Sequence, residues 1–223
     1  MRAARSIAIF ALLPLFAGCQ MFASQPETAS KAGLTRMQGE LSAAGGKLLF
    51  QPCQDTRRYV VNDTGGTSVL QETADLSDQP GKIFADLRGK LTSATAGTED
   101  QVDLQQLYRL ERSNTACDDP EFKRMILRAS GHKPEWSLKA SGKGMVLERE
   151  GQPALAVPYL EEQLGEGRFN LATEANGQHV ELWAAPQRCV DNVSGSVQHM
   201  SAELRINGQV QRGCAYFGGS RDD

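Results

Sequence analysis

Along residues 82–91 apolar and polar side chains take turns, with Ile83, Ala85, Leu87 and Leu91 on one side and Lys82, Asp86, Arg88 and Lys90 on the other. A period of two describes a β-strand with one buried and one solvated face. The pattern returns in 101–111 (Val102, Leu104, Tyr108, Leu110), in 135–140 (Trp136, Leu138, Ala140) and in 200–207 (Met200, Ala202, Leu204, Ile206). It is clearest across 168–185, which folds at Asn176-Gly177, a dipeptide suited to a two-residue type I′ hairpin turn. Pairing Ala175 with Gln178 sets Thr173 against Val180, Leu171 against Leu182 and Phe169 against Ala184, so the apolar faces agree. Trp183 then opposes Asn170 on the other face, where a covering layer is expected to bury it. Asn207-Gly208 leaves two registers open. A two-residue turn sets the apolar face of 200–206 against Gln209, Gln211 and Gly213, and a three-residue turn sets it against Val210, Cys214 and Tyr216.

The other elements complete a mostly β chain. Short apolar runs at 37–42 and 47–50 flank Gly45-Gly46, and 57–61 is a third strand candidate. In 67–76, Val69, Leu70, Thr73 and Leu76 take helical spacing after a turn able to supply caps. The order strand, strand, strand, helix, strand, strand is that of an OB-like barrel, expected over residues 37–118. In 118–128, Phe122, Met125 and Ile126 fall on one helical side behind Pro120, predicting a linking helix over 119–130. A second small β-barrel is expected over 131–219.

The chain begins with a segment of another kind. Arg2 and Arg5 precede an apolar run, Ile7 to Ala17, which is too short to cross a bilayer. This is a secretory signal pattern over 1–18. Ala17-Gly18-Cys19 resembles the lipobox of bacterial lipoproteins, with Phe16 standing where Leu is usual. The resemblance implies that Cys19 carries a diacylglycerol and, as the new N-terminus, a further acyl chain; several chains hold firmly to a membrane where one does not. Gln20, rather than Asp, after the cysteine implies the inner leaflet of the outer membrane, facing the periplasm. Residues 19–36 read as a lipidated tether, poor in large apolar groups and reaching about 20–25 Å as a coil. Removing 1–18 takes two arginines with it and moves the net charge from −3 to −5. That balance argues against nucleic acid and against anionic lipid surfaces as partners.

With Cys19 set aside, Cys53, Cys117, Cys189 and Cys214 remain. An even number in an oxidising compartment reads as two disulfides. Of the three pairings, Cys53–Cys117 with Cys189–Cys214 keeps each bridge within one half. No Cys-x-x-Cys occurs, and His132, His179 and His199 are far apart in sequence, so neither a metal site nor a cofactor is expected.

Two family resemblances can be stated on particular residues. Gly39, Phe50-Gln51-Pro52-Cys53 and Ile83-Phe84-Ala85-Asp86-Leu87-Arg88-Gly89 resemble the small barrel domain of envelope-stress lipoproteins of the NlpE type. That family's Cys-x-x-Cys is missing here, so a copper-sensing role does not carry over. Gly131-His132-Lys133-Pro134-Glu135-Trp136-Ser137-Leu138, then Cys189-Val190-Asp191-Asn192-Val193-Ser194-Gly195 with Gly213-Cys214-Ala215, resemble a proteobacterial lipoprotein family of META or heat-shock-lipoprotein kind. That resemblance implies a Cys189–Cys214 bridge and no catalytic residue.

The expected function follows from these parts: a lipid-anchored, non-catalytic binder or scaffold in the bacterial envelope. Its partners would be the membrane, through the anchor, and another envelope protein, lipid or glycan. OB barrels bind through stacking aromatics beside cations, which nominates Arg57, Arg58 and Tyr59 as a candidate ligand or partner surface, to which Trp183 would add if its face is left uncovered. One alternative is a lysozyme or protease inhibitor projecting the loop 191–198. Another is a hydrolase using Ser194, His199 and Asp191, for which no Gly-x-Ser-x-Gly elbow, phosphate loop or dinucleotide fingerprint gives support.

Overall fold

Five strands and one helix build the first half: β1 (Thr35–Ala44), β2 (Lys47–Pro52), β3 (Tyr59–Asp63), α1 (Val69–Ser77), β4 (Ile83–Thr92) and β5 (Gln101–Arg112). The computed structural model describes residues 33–175 and 177–221. The ladder runs β3-β2-β1-β4-β5 and is closed by parallel pairing of β3 with β5, from Val60 opposite Gln101 to Asp63 opposite Leu104. This is the expected OB-like barrel. Its core gathers Leu41, Leu48, Phe50, Tyr59, Leu87, Leu104 and Leu110. Helix α1 packs on it through Val69, Glu72, Thr73 and Leu76, whereas Leu70, expected on that face, is 64% exposed. Ser68 before the helix takes a left-handed backbone and makes no side-chain cap, so the expected capping is absent.

The second half comprises β6 (Met125–His132), β7 (Glu135–Ser141), β8 (Gly144–Arg149), β9 (Gln152–Val157), β10 (Leu160–Gly165), β11 (Arg168–Ala175), β12 (Gln178–Val190), β13 (Val197–Ile206) and β14 (Gln209–Phe217). Residues 119–130 are not a helix. A single 3-10 turn, Phe122–Arg124, precedes β6, whose Leu127, Ala129 and Gly131 alternate inward; a bulge at Ile126 leaves Met125 in a small separate cluster with Phe122 and Tyr216, while Ile126 packs against the second core. Met125 and Ile126 therefore serve different clusters, where helical spacing would have put them on one face. The ladder order is β10-β11-β12-β13-β14-β6-β7-β8-β9, with no pairing between the end strands β9 and β10. One core, from Tyr108 and Leu127 through Trp136, Leu147 and Phe169 to Phe217, fills the sheet's concave side. The second barrel is thus left open along one seam.

The hairpin at 175–178 has the expected register throughout, including Asn170 opposite Trp183. The last hairpin takes the two-residue turn, with Ile206 opposite Gln209 and Leu204 opposite Gln211. Turn geometry outweighs apolar matching here: Asn207 and Gly208 both adopt positive φ, as a type I′ turn demands, and Val210 is left 49% exposed. Gly213 on β14 serves Trp136. A Cβ at Gly213 would lie 1.9 Å from the Ser130 carbonyl oxygen and 3.0 Å from the Trp136 ring, so only glycine lets β14 pass that close.

Two large cores and a small third cluster lie within one compact unit. All described residues from Gly33 onward form one compact unit in a single 14-stranded sheet. The halves join where β13 pairs with β5, Val197 opposite Leu110 and Gln198 opposite Arg109. Each core borrows a residue from the other half. Val197 packs in the first, and Tyr108 of β5 packs in the second. Two β-bulges make this exchange possible by leaving Gln105 and Tyr108 unpaired against β4. Each bulge flips the alternation by one residue, so Leu107 rather than Tyr108 turns toward the first core.

The junction also explains β4. The middle of its predicted wet face is buried: Asp86 and Arg88, with Phe84, are inaccessible, whereas Lys82 and Lys90 are exposed as expected and Leu91, expected inward, is 40% exposed. Arg36 of β1 donates from Nε to Asp86 Oδ1 (2.9 Å) and from Nη2 to Asp86 Oδ2 (2.7 Å). The same guanidinium donates to the carbonyls of Phe217 (2.6 Å) and Gly218 (2.9 Å) and lies 4.0 Å from the Tyr108 ring centroid. Burial pushes the Asp86 carboxyl up from its ordinary value, against the hydrogen bonds and charge of Arg36. Beside it Arg109 donates to Tyr216 Oη (2.6 Å). Arg188 of β12 reaches α1 and donates from Nε to buried Glu72 (2.5 Å). Both disulfides have the expected pairing, Cys53–Cys117 and Cys189–Cys214.

Candidate functional site

An open cleft of about 890 Å³ lies over the outer face of β6, β7 and β8. Strand alternation puts Lys139 and Val146 on that face while Leu127, Leu138 and Leu147 point into the core; Ile126, the bulged residue of β6, packs against that core and still borders the cleft. Lys139 and Val146 are direct cross-strand neighbours. The 3-10 turn carrying Lys123 and Arg124 forms one wall, and the β7–β8 turn at Ser141-Gly142-Lys143 forms another. The C-terminal segment braces the first wall: Gly219 N–H donates to Phe122 O (2.8 Å) and Ser220 Oγ to Met125 O (2.8 Å).

Four cations and two carboxylates line the cleft. Arg124 pairs with Glu121 (2.6 Å), and Glu148 accepts from Ser137 Oγ (3.0 Å). Lys123, Lys139 and Lys143 are exposed and form no ion pair among the described residues. Sequence reading missed this site because it joins three segments that are separate in the chain. The one local signal was Lys139 on the polar side of the Trp136-Leu138-Ala140 alternation.

The nominated OB surface does not assemble. Phe50 and Tyr59 lie in the first core, 0% and 3% exposed, and offer no face for stacking. Arg57 and Arg58 are exposed, but Arg57 is held by Asp55 (2.7 Å) and Arg58 contacts Gln51 (3.3 Å). The Arg57 hydrogen bonds hold the Asp55 carboxyl down at about 2. Tyr59 is buried because β3 is the barrel's closing strand, inward at its first residue. Trp183 is half-buried on the outer face of β12, with the Arg205 guanidinium 4.7 Å from its ring centroid. No further sheet layer covers it among the described residues; the Arg205 side chain takes that place.

Asp191, Ser194 and His199 do not come together. Asp191 Oδ1 accepts from Ser194 Oγ (2.9 Å) and from the backbone N–H groups of Val193 (3.0 Å) and Ser194 (2.7 Å). Its other oxygen meets His132 Nε2 (2.6 Å), a partner the sequence did not nominate. The carboxylate therefore stands between hydroxyl and imidazole, and no imidazole faces Ser194 Oγ. The donors from Ser194 and Val193 and the nearby His132 hold the Asp191 carboxyl below its ordinary value, against the opposing effect of burial. His199 lies elsewhere, edge-on to Tyr108 (4.9 Å) and Phe217 (5.0 Å). Its Nδ1–H donates to the Tyr108 carbonyl (3.0 Å), and its Nε2 is buried without a partner. Burial lowers the His199 imidazole to about 4. What Asp191 builds is a rigid loop, closed by Asp191 N–H to Ser196 O (2.8 Å), with Val193 68% exposed at its tip.

Among the described residues no cluster of His, Cys, Asp and Glu could hold a metal ion, and no helix is long and apolar enough to cross a membrane. Cys19 and most of the tether lie outside the described residues. Comparison with protein-family models, with curated proteins and with solved structures finds no match to this chain.

Proposed function

We propose that this protein is a lipid-anchored component of a bacterial envelope that works by binding, not by catalysis. The observation that carries the reading is the open cleft over β6–β8, where three lysines without an ion pair among the described residues and apolar Met125, Ile126 and Val146 form a docking surface. The signal-like segment ending in Cys19 and the two disulfides support an oxidising, membrane-proximal setting. The barrel, with its β3–β5 closure, fits the NlpE-type resemblance of the first half. The Cys189–Cys214 bridge fits the META-like resemblance of the second.

The test is photo-crosslinking in intact cells from position 146, inside the cleft, against position 210, which is exposed outside it. A discrete adduct from 146 and none from 210 is expected. Matching patterns from both positions, or no adduct, would refute a docking role for the cleft.

A second reading, enzyme inhibition, draws on the Asp191-braced loop and its exposed Val193. Lysozyme and protease turnover measured with the purified protein tests it, and unaltered rates exclude it.

A further inference from the structure

We propose that the cleft takes an acidic, extended peptide segment of a partner protein. The inference rests on the binding reading above and names the chemistry of what binds.

Charge is the first argument. The whole chain is net negative, yet Lys123, Lys139 and Lys143 face one concavity with no carboxylate paired to them. A local reversal of sign in an acidic protein steers anionic partners to that place and repels them elsewhere. The floor is the second argument. Met125, Ile126 and Val146 line the same cleft as the cations, and Val146 directly neighbours Lys139. A small anion would satisfy the lysines and leave this apolar strip wet. A peptide with carboxylates and apolar side chains covers both, because side chains on one face of an extended chain recur about every 7 Å. The lining is the third argument. It contains no aromatic ring, so a nucleotide base or a sugar has no flat face to stack on. Shape is the fourth. The 3-10 turn and the β7–β8 turn both line a concavity, which suits a single chain better than a flat bilayer.

The probe is a fluorescein-labelled twelve-residue peptide of repeated Glu-Leu-Ser, compared by anisotropy with the same peptide carrying Lys for Glu. The purified full-length protein is used. Saturable binding of the acidic peptide is expected, with a Kd on the order of 10–100 μM at low salt, weakened at least about tenfold at high salt as screening shortens the reach of the lysines. Lys139→Glu with Lys143→Glu should weaken it by a similar factor, and Lys139→Gln with Lys143→Gln by less. Both lysines are exposed, so circular dichroism should be unchanged, and the Gln pair alone decides if the Glu pair fails to fold. The Lys peptide should not bind. Absence of saturable acidic-peptide binding, equal binding of both peptides, or indifference to the double substitutions would overturn the proposal. So would a protein that ignores the peptide but sediments with phosphatidylglycerol vesicles, which would assign the lysines to lipid. A crosslink from position 146 without acidic-peptide binding leaves the docking role standing and removes this inference alone.

Discussion

His199 should make the fold acid-sensitive in a window that can be calculated. Its Nδ1 faces a carbonyl oxygen and must carry the proton, so the neutral ring holds a bare Nε2 that is buried without a partner. Protonation would put a cation there, against Tyr108 and Phe217 and near the Arg36 guanidinium. The imidazole titrates at about 4 in the folded chain and at about 6.5 when unfolded. Between those values the unfolded chain binds the extra proton, so stability is full above about pH 6.5 and is lost as pH falls towards 4. The loss comes to about 2 kcal/mol between pH 7.5 and 5 and about 3 kcal/mol by pH 4. With a urea dependence of about 2 kcal/mol per molar, the midpoint should fall by about 1 M between pH 7.5 and 5 from this group alone. Carboxylates add their own slopes, so the comparison is with His199→Asn, whose amide can donate to Tyr108 but does not titrate. Urea melts of both proteins across pH 7.5 to 4.5 should diverge, with the variant losing about 2 kcal/mol less by pH 5. Profiles parallel within about 0.5 kcal/mol would show that His199 is not held neutral by burial.

Three other outcomes are expected. Cys53→Ala with Cys117→Ala opens a loop with a sequence separation of 64 and should cost about 4 kcal/mol in chemical denaturation; an unchanged midpoint would deny the bridge a stabilising role. Gly213→Ala forces a Cβ against the Ser130 carbonyl and the Trp136 ring, and should lower stability by more than about 3 kcal/mol, read as a fall in Tm and weakened near-ultraviolet dichroism of tryptophan. Cells grown in labelled palmitate should mark the wild type and not Cys19→Ala; equal labelling would remove the anchor from the proposed function.

What could be read from the chain was what short-range chemistry decides. Asn176-Gly177 imposes a turn, and the flanking alternation admits one register, so every pair of that hairpin was legible. At Asn207-Gly208 the same turn chemistry was present, but apolar matching pulled towards another register and left the matter open. Tyr108 was misread because a β-bulge has no sequence mark, and each of the two in β5 reverses the faces that follow. Asp86 and Arg88 were misread as wet because alternation reports what one sheet buries, not what a second half lays over its other side. Residues 119–130 looked helical because Phe122, Met125 and Ile126 fit that period over so short a stretch. The cleft was invisible for a related reason: Lys123 meets Lys139 and Lys143 only once two segments separate in the chain have come together.

The junction between the halves also sets the order in which this chain can finish folding. Val197 completes the first core, and Arg36, in the first strand, finds its carbonyl partners only at residues 217 and 218. Synthesis from the N-terminus delivers those residues last. Until they arrive, the early barrel stands with β5 partly unpaired and Asp86 open to water. Nascent material should therefore be degradable almost to the end of its synthesis and turn resistant in one late step. Losing a few residues from the C-terminus would damage the strand made first.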